Sequence, residues 1–119
     1  MDTRNVTIKT AAISAPLDVD AAVPCALILN ELVTNCCKYA FPGDRKGTIE
    51  VDFYRQDADF VLTVRDDGVG LPDGFDPMSS ETLGLQLVSV LAKQLRGKVR
   101  VISEKGTEVS VSFPATRRD

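Results

Sequence analysis

The stretch "LILNELVTNCCKYAF", residues 27–41, combines a helical apolar pattern with a second, polar row of side chains. Glu31, Asn35 and Lys38 are four and then three residues apart, so they share a narrow face of one helix. Asparagine is a poor interior helix residue because its side chain competes with the backbone for hydrogen bonds. We therefore expect this polar face to meet something other than plain solvent. The apolar residues that recur at core-facing helical spacing are Leu29, Leu32, Val33, Cys36 and Ala40.

Composition and charge fit one ordinary folded domain. The 119 residues suit a single core, and 44% hydrophobic with 26% charged residues is a globular balance. The formal net charge is −3, without a long run of one sign. This argues against nucleic acid or an anionic membrane as the main partner. A few amides and one lysine still allow local binding of a phosphate compound.

The residue content excludes several chemistries. The sequence has no histidine, which removes Ser-His-Asp and Cys-His nucleophiles and any histidine acid–base step supplied by this chain. Cys25, Cys36 and Cys37 show no CxxC spacing, so we expect buried reduced thiols rather than a zinc site. Residues 1–10 lack the apolar core of a signal peptide, and no apolar run could span a bilayer. We expect a cytoplasmic location without direct membrane insertion.

Alternation and turn residues predict the order strand, helix, two strands, loop, helix, two strands. The predicted strands are residues 6–13, 48–54, 60–65, 98–103 and 107–113. The first helix should run to about residue 39, and Pro24 fits a first turn but would break a longer helix there. The second should run from Leu83 to a left-handed cap at Gly97. The order predicts an α+β two-layer sandwich, a mixed and mostly antiparallel sheet covered by helices on one face, rather than a wound βαβ sheet.

The segment "VRDDGVGLP", residues 64–72, follows a predicted strand with two acids and two spaced glycines. Glycine lets a backbone approach a ligand closely, and a carboxylate at a strand end can accept a hydrogen bond from an exocyclic amine such as that of adenine. Alone, the segment is explained equally well by a tight surface turn. The acids do not fit the register of an EF-hand calcium loop.

Two further segments also allow both a ligand-binding and a purely structural interpretation. "TLGLQLV", residues 82–88, opens a helix whose N-terminal amides could attract phosphate, although a plain capped helix explains it alone. "EKGTEV", residues 104–109, could simply form the turn of a hairpin.

Together the four segments resemble the ATP-binding domain of the GHKL (Bergerat-fold) superfamily. Its members include sensor histidine kinases, type II topoisomerases, MutL-like repair proteins and anti-sigma kinases. "NELVTNCCKYAFP" is similar to the N-box, "DDGVGLP" to the first glycine box and "TLGLQLV" to the second. The segments "LDVDAAVPCALILNELVTN", "YAFPG" and "LPDGFDPMSS" resemble the HWE-related, often light-sensing, histidine kinases. The resemblance implies one ATP-binding domain over residues 1–119, with its core at about residues 17–114.

The resemblance also implies roles for individual residues. Asn35 would ligate Mg²⁺, Lys38 would balance the triphosphate charge, and Asp66 would read adenine. Residues 71–81 would form a lid over the phosphates. The other implied ATP-binding residues are Tyr39, Gly68, Gly70, Leu71, Thr82, Leu83, Gly84, Leu85 and Thr107.

Two positions depart from the family pattern. Thr82 stands where the second glycine box usually begins with Gly, which puts the phosphate contacts there in doubt. Glu31 stands where many histidine kinases carry Asn, whereas GHKL hydrolases and anti-sigma kinases carry a Glu that activates water or a serine hydroxyl. Glu31 is therefore either a general base or a residue that hydrogen-bonds a phosphate-bound water or a core group. Glu31 and Lys38 are the candidate catalytic residues.

The resulting hypothesis is the catalytic domain of a sensor histidine kinase that uses ATP and Mg²⁺. The acceptor histidine would lie on a dimerisation domain, in the same polypeptide or a partner, and a response regulator would act downstream. The chain would then be the cytoplasmic part of a larger sensor protein. The alternatives are an anti-sigma-type serine kinase and a degenerate nucleotide-binding or docking module.

Overall fold

The computed structural model describes residues 6–12, 19–37, 46–69 and 83–115, and these ranges contain seven regular elements. The predicted order of strands and helices is confirmed. None of the helices in these ranges is long and apolar enough to cross a bilayer. The elements are β1 (Val6–Ala12), α1 (Val19–Asn35), β2 (Gly47–Gln56), β3 (Asp59–Asp66), α2 (Leu83–Gln94), β4 (Lys98–Ser103) and β5 (Thr107–Pro114).

The strands form one five-stranded sheet in the order β1-β2-β3-β5-β4. Strands β2, β3, β5 and β4 pair antiparallel, while β1 lies parallel to β2 at one edge. A parallel neighbour requires a crossover, which α1 supplies between β1 and β2. The sheet is therefore mixed and mostly antiparallel, and the fold is the expected α+β sandwich.

One face of the sheet carries the hydrophobic core. Residues directly opposite each other on paired strands share a face, so Val51, Val64 and Val109 form one buried row across β2, β3 and β5. Helices α1 and α2 cover this face, as predicted. The buried helical residues are Ala21, Cys25, Ile28 and Leu32 on α1, and Val88, Leu91, Ala92 and Leu95 on α2.

An aromatic cluster fills the end of the core where β3 begins. The rings of Phe53 and Phe60 stack with centroids 5.3 Å apart, and Phe113 lies 5.7 Å from Phe60 at a tilt. Such ring pairs add to the free energy that burial alone provides. The core is aromatic at this end, whereas β3 ends at the other side in the buried acid Asp66.

The buried row of α1 differs from the predicted one. Leu32 is buried as expected, but Leu29, Val33 and Cys36 are only partly buried and flank the core. The row is centred on Ile28, one residue and about 100° earlier on the helix. The regular α-helix ends at Asn35, and residues 36 and 37 wind as a π-helical turn.

Pro24 does not break the first helix, contrary to the prediction. It is the sixth residue of α1 and lacks the N–H that would bond one turn back. Ala21 and Cys25 on either side of it are both buried in the core. Their packing holds the helix together across a residue that local preference disfavours.

The cap of α2 also differs from the prediction. Arg96, with φ of 60°, takes the left-handed conformation expected of Gly97. The Gly97 amide donates to the Ala92 carbonyl at 2.8 Å and the Arg96 amide to the Lys93 carbonyl at 3.0 Å, the two bonds of a Schellman motif. Gly97 is needed for space instead, because a Cβ there would collide with the carbonyl oxygen of Ser112.

We predict that Gly97→Ala lowers the free energy of unfolding by about 1–3 kcal/mol, because the added methyl group forces α2 and β5 apart. Chemical denaturation measures this change. Arg96→Gly is the matched variant, since it removes the positive-φ strain at the neighbouring position without adding an atom. Unchanged stability in Gly97→Ala would contradict the close packing of this turn on β5.

Candidate functional site

The side chain of Asp66 is the most deeply buried acid in the described part of the chain. Asp66 is the last residue of β3 and is only 4% exposed. Its Oδ1 accepts a hydrogen bond from the Gly68 amide at 2.9 Å, and its Oδ2 accepts one from the Cys36 thiol at 3.3 Å. A carboxylate offers roughly four lone-pair positions. Asp66 therefore retains acceptor capacity beyond these two donors.

Strand alternation explains why this acid points inward. Leu62 and Val64 precede it on the core face of β3, and Asp66 is the next residue with that direction. It lies between Ile49 of β2 and Thr107 of β5 in one cross-strand row. The row is thus apolar on one side of the carboxylate and bears a hydroxyl on the other. Thr107, expected from sequence to share a site with Asp66, is directly opposite it.

Two backbone arrangements fix the position of Asp66. Gly106 is buried with φ of 115°, and a Cβ there would collide with the Asp66 carbonyl oxygen. The turn between β4 and β5 therefore packs directly on the end of β3. On the other side, the Asp67 carboxylate accepts a hydrogen bond from the Thr48 amide at 2.8 Å, and the Asp67 amide donates to the Thr48 carbonyl at 3.3 Å. These contacts hold the start of the acidic glycine segment against β2.

The C-terminal end of α1 reaches the same place. The bond from Cys36 to Asp66 joins residues 30 positions apart, and Asn35 immediately precedes Cys36 as the last α-helical residue. Asn35 and Glu31 are both half-buried and one turn apart. The Glu31 carboxylate forms no hydrogen bond or ion pair with another residue of the described ranges. The structure thus brings the N-box helix and the first glycine box together.

The environment of Cys36 keeps its thiol protonated. Burial, and then the charge of Asp66 and the hydrogen bond to it, raise the pKa of Cys36 far above its ordinary value of 9.0. Burial likewise raises the pKa of Cys25 in the core. A protonated thiol donates a hydrogen bond, although a weak one. Cys36 therefore acts as a donor to the carboxylate at neutral pH.

The remaining predicted site residues are placed only in part. Leu83, Gly84 and Leu85 form the first turn of α2, so the second glycine box does open a helix. Several predicted site positions lie outside the described residues, as does the whole predicted lid, residues 71–81. These positions are Lys38, Tyr39, Gly70, Leu71 and Thr82.

Sequence reasoning missed the role of Cys36. Its helical spacing assigned it to the apolar stripe, and cysteine is usually a small buried hydrophobe. Its place next to Asn35, at the border between the apolar and polar faces, was the available signal. The contact with Asp66 depends on how α1 docks on the sheet, which spacing does not reveal.

A family match and one curated relative cover most of the chain. The family described as "Histidine kinase-, DNA gyrase B-, and HSP90-like ATPase" matches residues 21–117. The sensor histidine kinase PdtaS of Mycobacterium tuberculosis is 37% identical over 106 residues, which are 86% of this chain and 21% of that protein. The chain therefore spans about a fifth of the length of this relative.

A solved structure and a shorter relative extend the comparison. The histidine kinase domain from Erythrobacter litoralis EL346 blue-light activated histidine kinase superposes with a TM-score of 0.87 at 24% identity, over 94% of this chain and 52% of that one. This likeness supports the predicted α+β fold. The anti-sigma F factor of Geobacillus kaustophilus is 34% identical over 68 residues, 56% of this chain and 47% of that protein.

We predict that Gly106→Ala lowers the free energy of unfolding by about 2–4 kcal/mol, because it adds both a steric collision with Asp66 and positive-φ strain. Thermal or chemical unfolding provides the measurement. Lys105→Gly is the control, since it relieves a φ of 55° in the same turn and adds nothing. A Gly106→Ala variant as stable as the wild type would show that the turn does not press on β3.

Proposed function

Because this chain belongs to the histidine kinase-, DNA gyrase B- and HSP90-like ATPase family, we propose that it is the ATP-binding catalytic domain of a two-component sensor histidine kinase. The membership confirms the resemblance to the GHKL superfamily. The observation that carries the proposal is the buried Asp66 carboxylate at the end of β3, which retains acceptor capacity. Kinase activity on a histidine goes beyond the family and is the part to be tested.

The surroundings of Asp66 fit an adenine base. A buried acceptor with two donors among the described residues favours a ligand with a hydrogen-bond donor, such as an exocyclic amine. A base with a carbonyl at that position would instead place acceptor against acceptor. Gly68 and Thr107, on either side of the carboxylate, would lie near the base. Gly70 and Tyr39 complete the proposed base and ribose contacts.

The phosphates and the metal would lie toward the end of α1 and the start of α2. We propose the Asn35 amide oxygen as the protein ligand of Mg²⁺, a metal that prefers oxygen ligands and shares them with phosphates and water. Lys38 would balance the phosphate charge. The backbone amides of Leu83, Gly84 and Leu85 lie in the first turn of α2, where unpaired N–H groups and the helix dipole favour anions. Leu71 and Thr82 would border the same phosphates.

ATP bound with Mg²⁺ supplies the γ-phosphoryl group that the reaction transfers. This chain would hold and orient that group, which is the main contribution of proteins to phosphoryl transfer. The acceptor histidine must belong to another domain, because the sequence contains no histidine. We propose a histidine-bearing dimerisation domain as that partner and a response regulator as the later recipient.

Glu31 is proposed as the residue that decides between kinase types. It is half-buried, one turn before Asn35, with a carboxylate that no other described residue engages. In that position it could accept a proton from a nucleophile or hydrogen-bond a water on the metal. The second candidate function, an anti-sigma-type serine kinase, is favoured by this glutamate and by the similarity to the anti-sigma F factor.

We predict that Asp66→Asn weakens binding of a non-hydrolysable ATP analogue about 10- to 100-fold, the value of a hydrogen bond to a charged group. Isothermal titration calorimetry in the presence of Mg²⁺ measures the dissociation constant. Asp67→Asn is the matched control, because it changes the adjacent carboxylate, which bonds the Thr48 amide instead. Equal affinity in both variants would overturn the assignment of Asp66 to the base.

We predict that Asn35→Ala removes most of the effect of Mg²⁺ on nucleotide affinity, because it deletes the proposed oxygen ligand. The same titration is run with Mg²⁺ and with EDTA for the variant and the wild type. A variant that retains the full difference between the two conditions would contradict the metal assignment.

We predict that the chain alone shows no histidine phosphorylation, and that addition of a histidine-bearing dimerisation domain from a sensor kinase yields a phosphoryl linkage that acid destroys. Radiolabelled ATP with acid treatment before electrophoresis distinguishes the products. A label that survives acid would instead favour the serine kinase. No transfer to any partner, from a chain that binds ATP, would favour the degenerate binding module.

A further inference from the structure

We infer that the Cys36 thiol positions the Asp66 carboxylate for recognition of adenine. The inference rests on the proposed function, because it gives Cys36 a task only if nucleotide binds at Asp66. It makes Cys36 a positioning residue, which acts on the base through a neighbouring side chain.

The geometry fixes both oxygens of one carboxylate from two directions. The Gly68 amide, two residues along the chain, holds Oδ1 at 2.9 Å. The Cys36 thiol, from α1, holds Oδ2 at 3.3 Å, an ordinary length for a bond with sulfur as the donor. Rotation about the bond between Cβ and the carboxyl carbon would break both. The two donors together therefore set the plane of the carboxylate, and with it the direction of the remaining lone pairs.

The thiol is a suitable donor for this task because it is weak. A strong cationic donor would neutralise the carboxylate and reduce its attraction for a ligand amine. A thiol satisfies one lone pair of the buried oxygen and leaves the charge largely available. Its sulfur also packs against the core that α1 shares with the sheet, where a small apolar group is favoured.

The backbone conformation at Cys36 directs its side chain toward Asp66. Residues 36 and 37 wind as a π-helical turn directly after the last α-helical residue. Such wider turns change the direction in which a side chain leaves the helix and are frequent at functional sites. Cys37 in the same turn is half-buried against the core, and its thiol forms no hydrogen bond with another described residue. The pair therefore provides a matched comparison of two adjacent thiols.

The test is a set of calorimetric titrations of Cys36→Ala, Cys36→Ser, Cys37→Ala and wild type with Mg²⁺ and a non-hydrolysable ATP analogue. We expect Cys36→Ala to bind about three- to tenfold more weakly, because one charge-assisted but weak hydrogen bond is lost. Cys36→Ser should recover affinity, since its hydroxyl can donate to the same oxygen. Cys37→Ala should bind as the wild type does. Thermal unfolding of each variant establishes that it is folded.

A second ligand distinguishes two effects of Cys36, orientation of the Asp66 carboxylate and packing of the thiol. Purine riboside triphosphate lacks the 6-amino group, so the direction of the carboxylate lone pairs should matter little for its binding. We expect Cys36→Ala and wild type to bind this analogue with equal affinity. An equal loss for both nucleotides would overturn the inference, because the thiol would then act through packing alone.

The remaining outcomes separate the role of Cys36 from nucleotide binding by the chain. Unchanged ATP affinity in folded Cys36→Ala, together with a loss in Asp66→Asn, would overturn the inference and leave the proposed function standing. Failure of the folded wild type to bind ATP would overturn the proposed function and the inference with it. Weak binding by both Cys36→Ala and Cys36→Ser would also contradict the role of a donor at this position.

Discussion

The burial of one carboxylate organises the end of the sandwich where the candidate site lies. An acid at a core-facing position costs several kcal/mol unless its oxygens are satisfied. Here a backbone amide and a thiol donate hydrogen bonds to the two carboxylate oxygens of Asp66. Gly106 packs directly against β3 at this residue, and Asp67 holds the following segment to β2 through a hydrogen bond. These local features follow from keeping one polar group inside an apolar layer.

The two ends of the sheet differ, since one carries the aromatic cluster and the other carries Asp66. Phe53, Phe60 and Phe113 pack against one another where β3 starts, and Asp66 ends the same strand roughly 20 Å away, at about 3.3 Å per residue. Ring packing at the aromatic end contributes stability without a polar partner. The opposite end holds a buried carboxylate whose two oxygens each accept one hydrogen bond. Strand β3, buried from Phe60 to Val64, connects the two ends.

The sequence pattern predicted the strands and helices well, because apolar alternation and turn residues are local features that can be read directly from the sequence. The motifs also predicted that Asp66 and Thr107 would meet, and their strands are adjacent. What failed depended on packing between elements. Pro24 stays helical because Ala21 and Cys25 bury on either side of it, and Gly97 is small because Ser112 is close rather than because its φ is positive.

The contact of Cys36 with Asp66 belongs to the same class of features. Periodicity shows which residues share a helix face. It does not show which face packs on the sheet, and a shift of one residue in the buried row changes the contacts of every side chain on the helix. The described row is centred on Ile28, so Cys36 reaches the border of the core rather than its middle. The residues of the candidate site that sequence identified were those carried by motifs. The one it missed, Cys36, lies within the N-box segment, but its contact with Asp66 depends on how α1 docks on the sheet.

The strand order has a consequence for how the chain assembles. β5 is the last described strand along the sequence, yet it lies between β3 and β4 inside the sheet. During synthesis, the β3 edge that will pair with β5 therefore stays unpaired until residues 107–114 have emerged from the ribosome. Pairing of such distant segments is slow, and an exposed apolar edge is prone to aggregate meanwhile. The acid and the threonine of the candidate site become neighbours only at this late step, so a chain that ends before residue 107 would lack the candidate site.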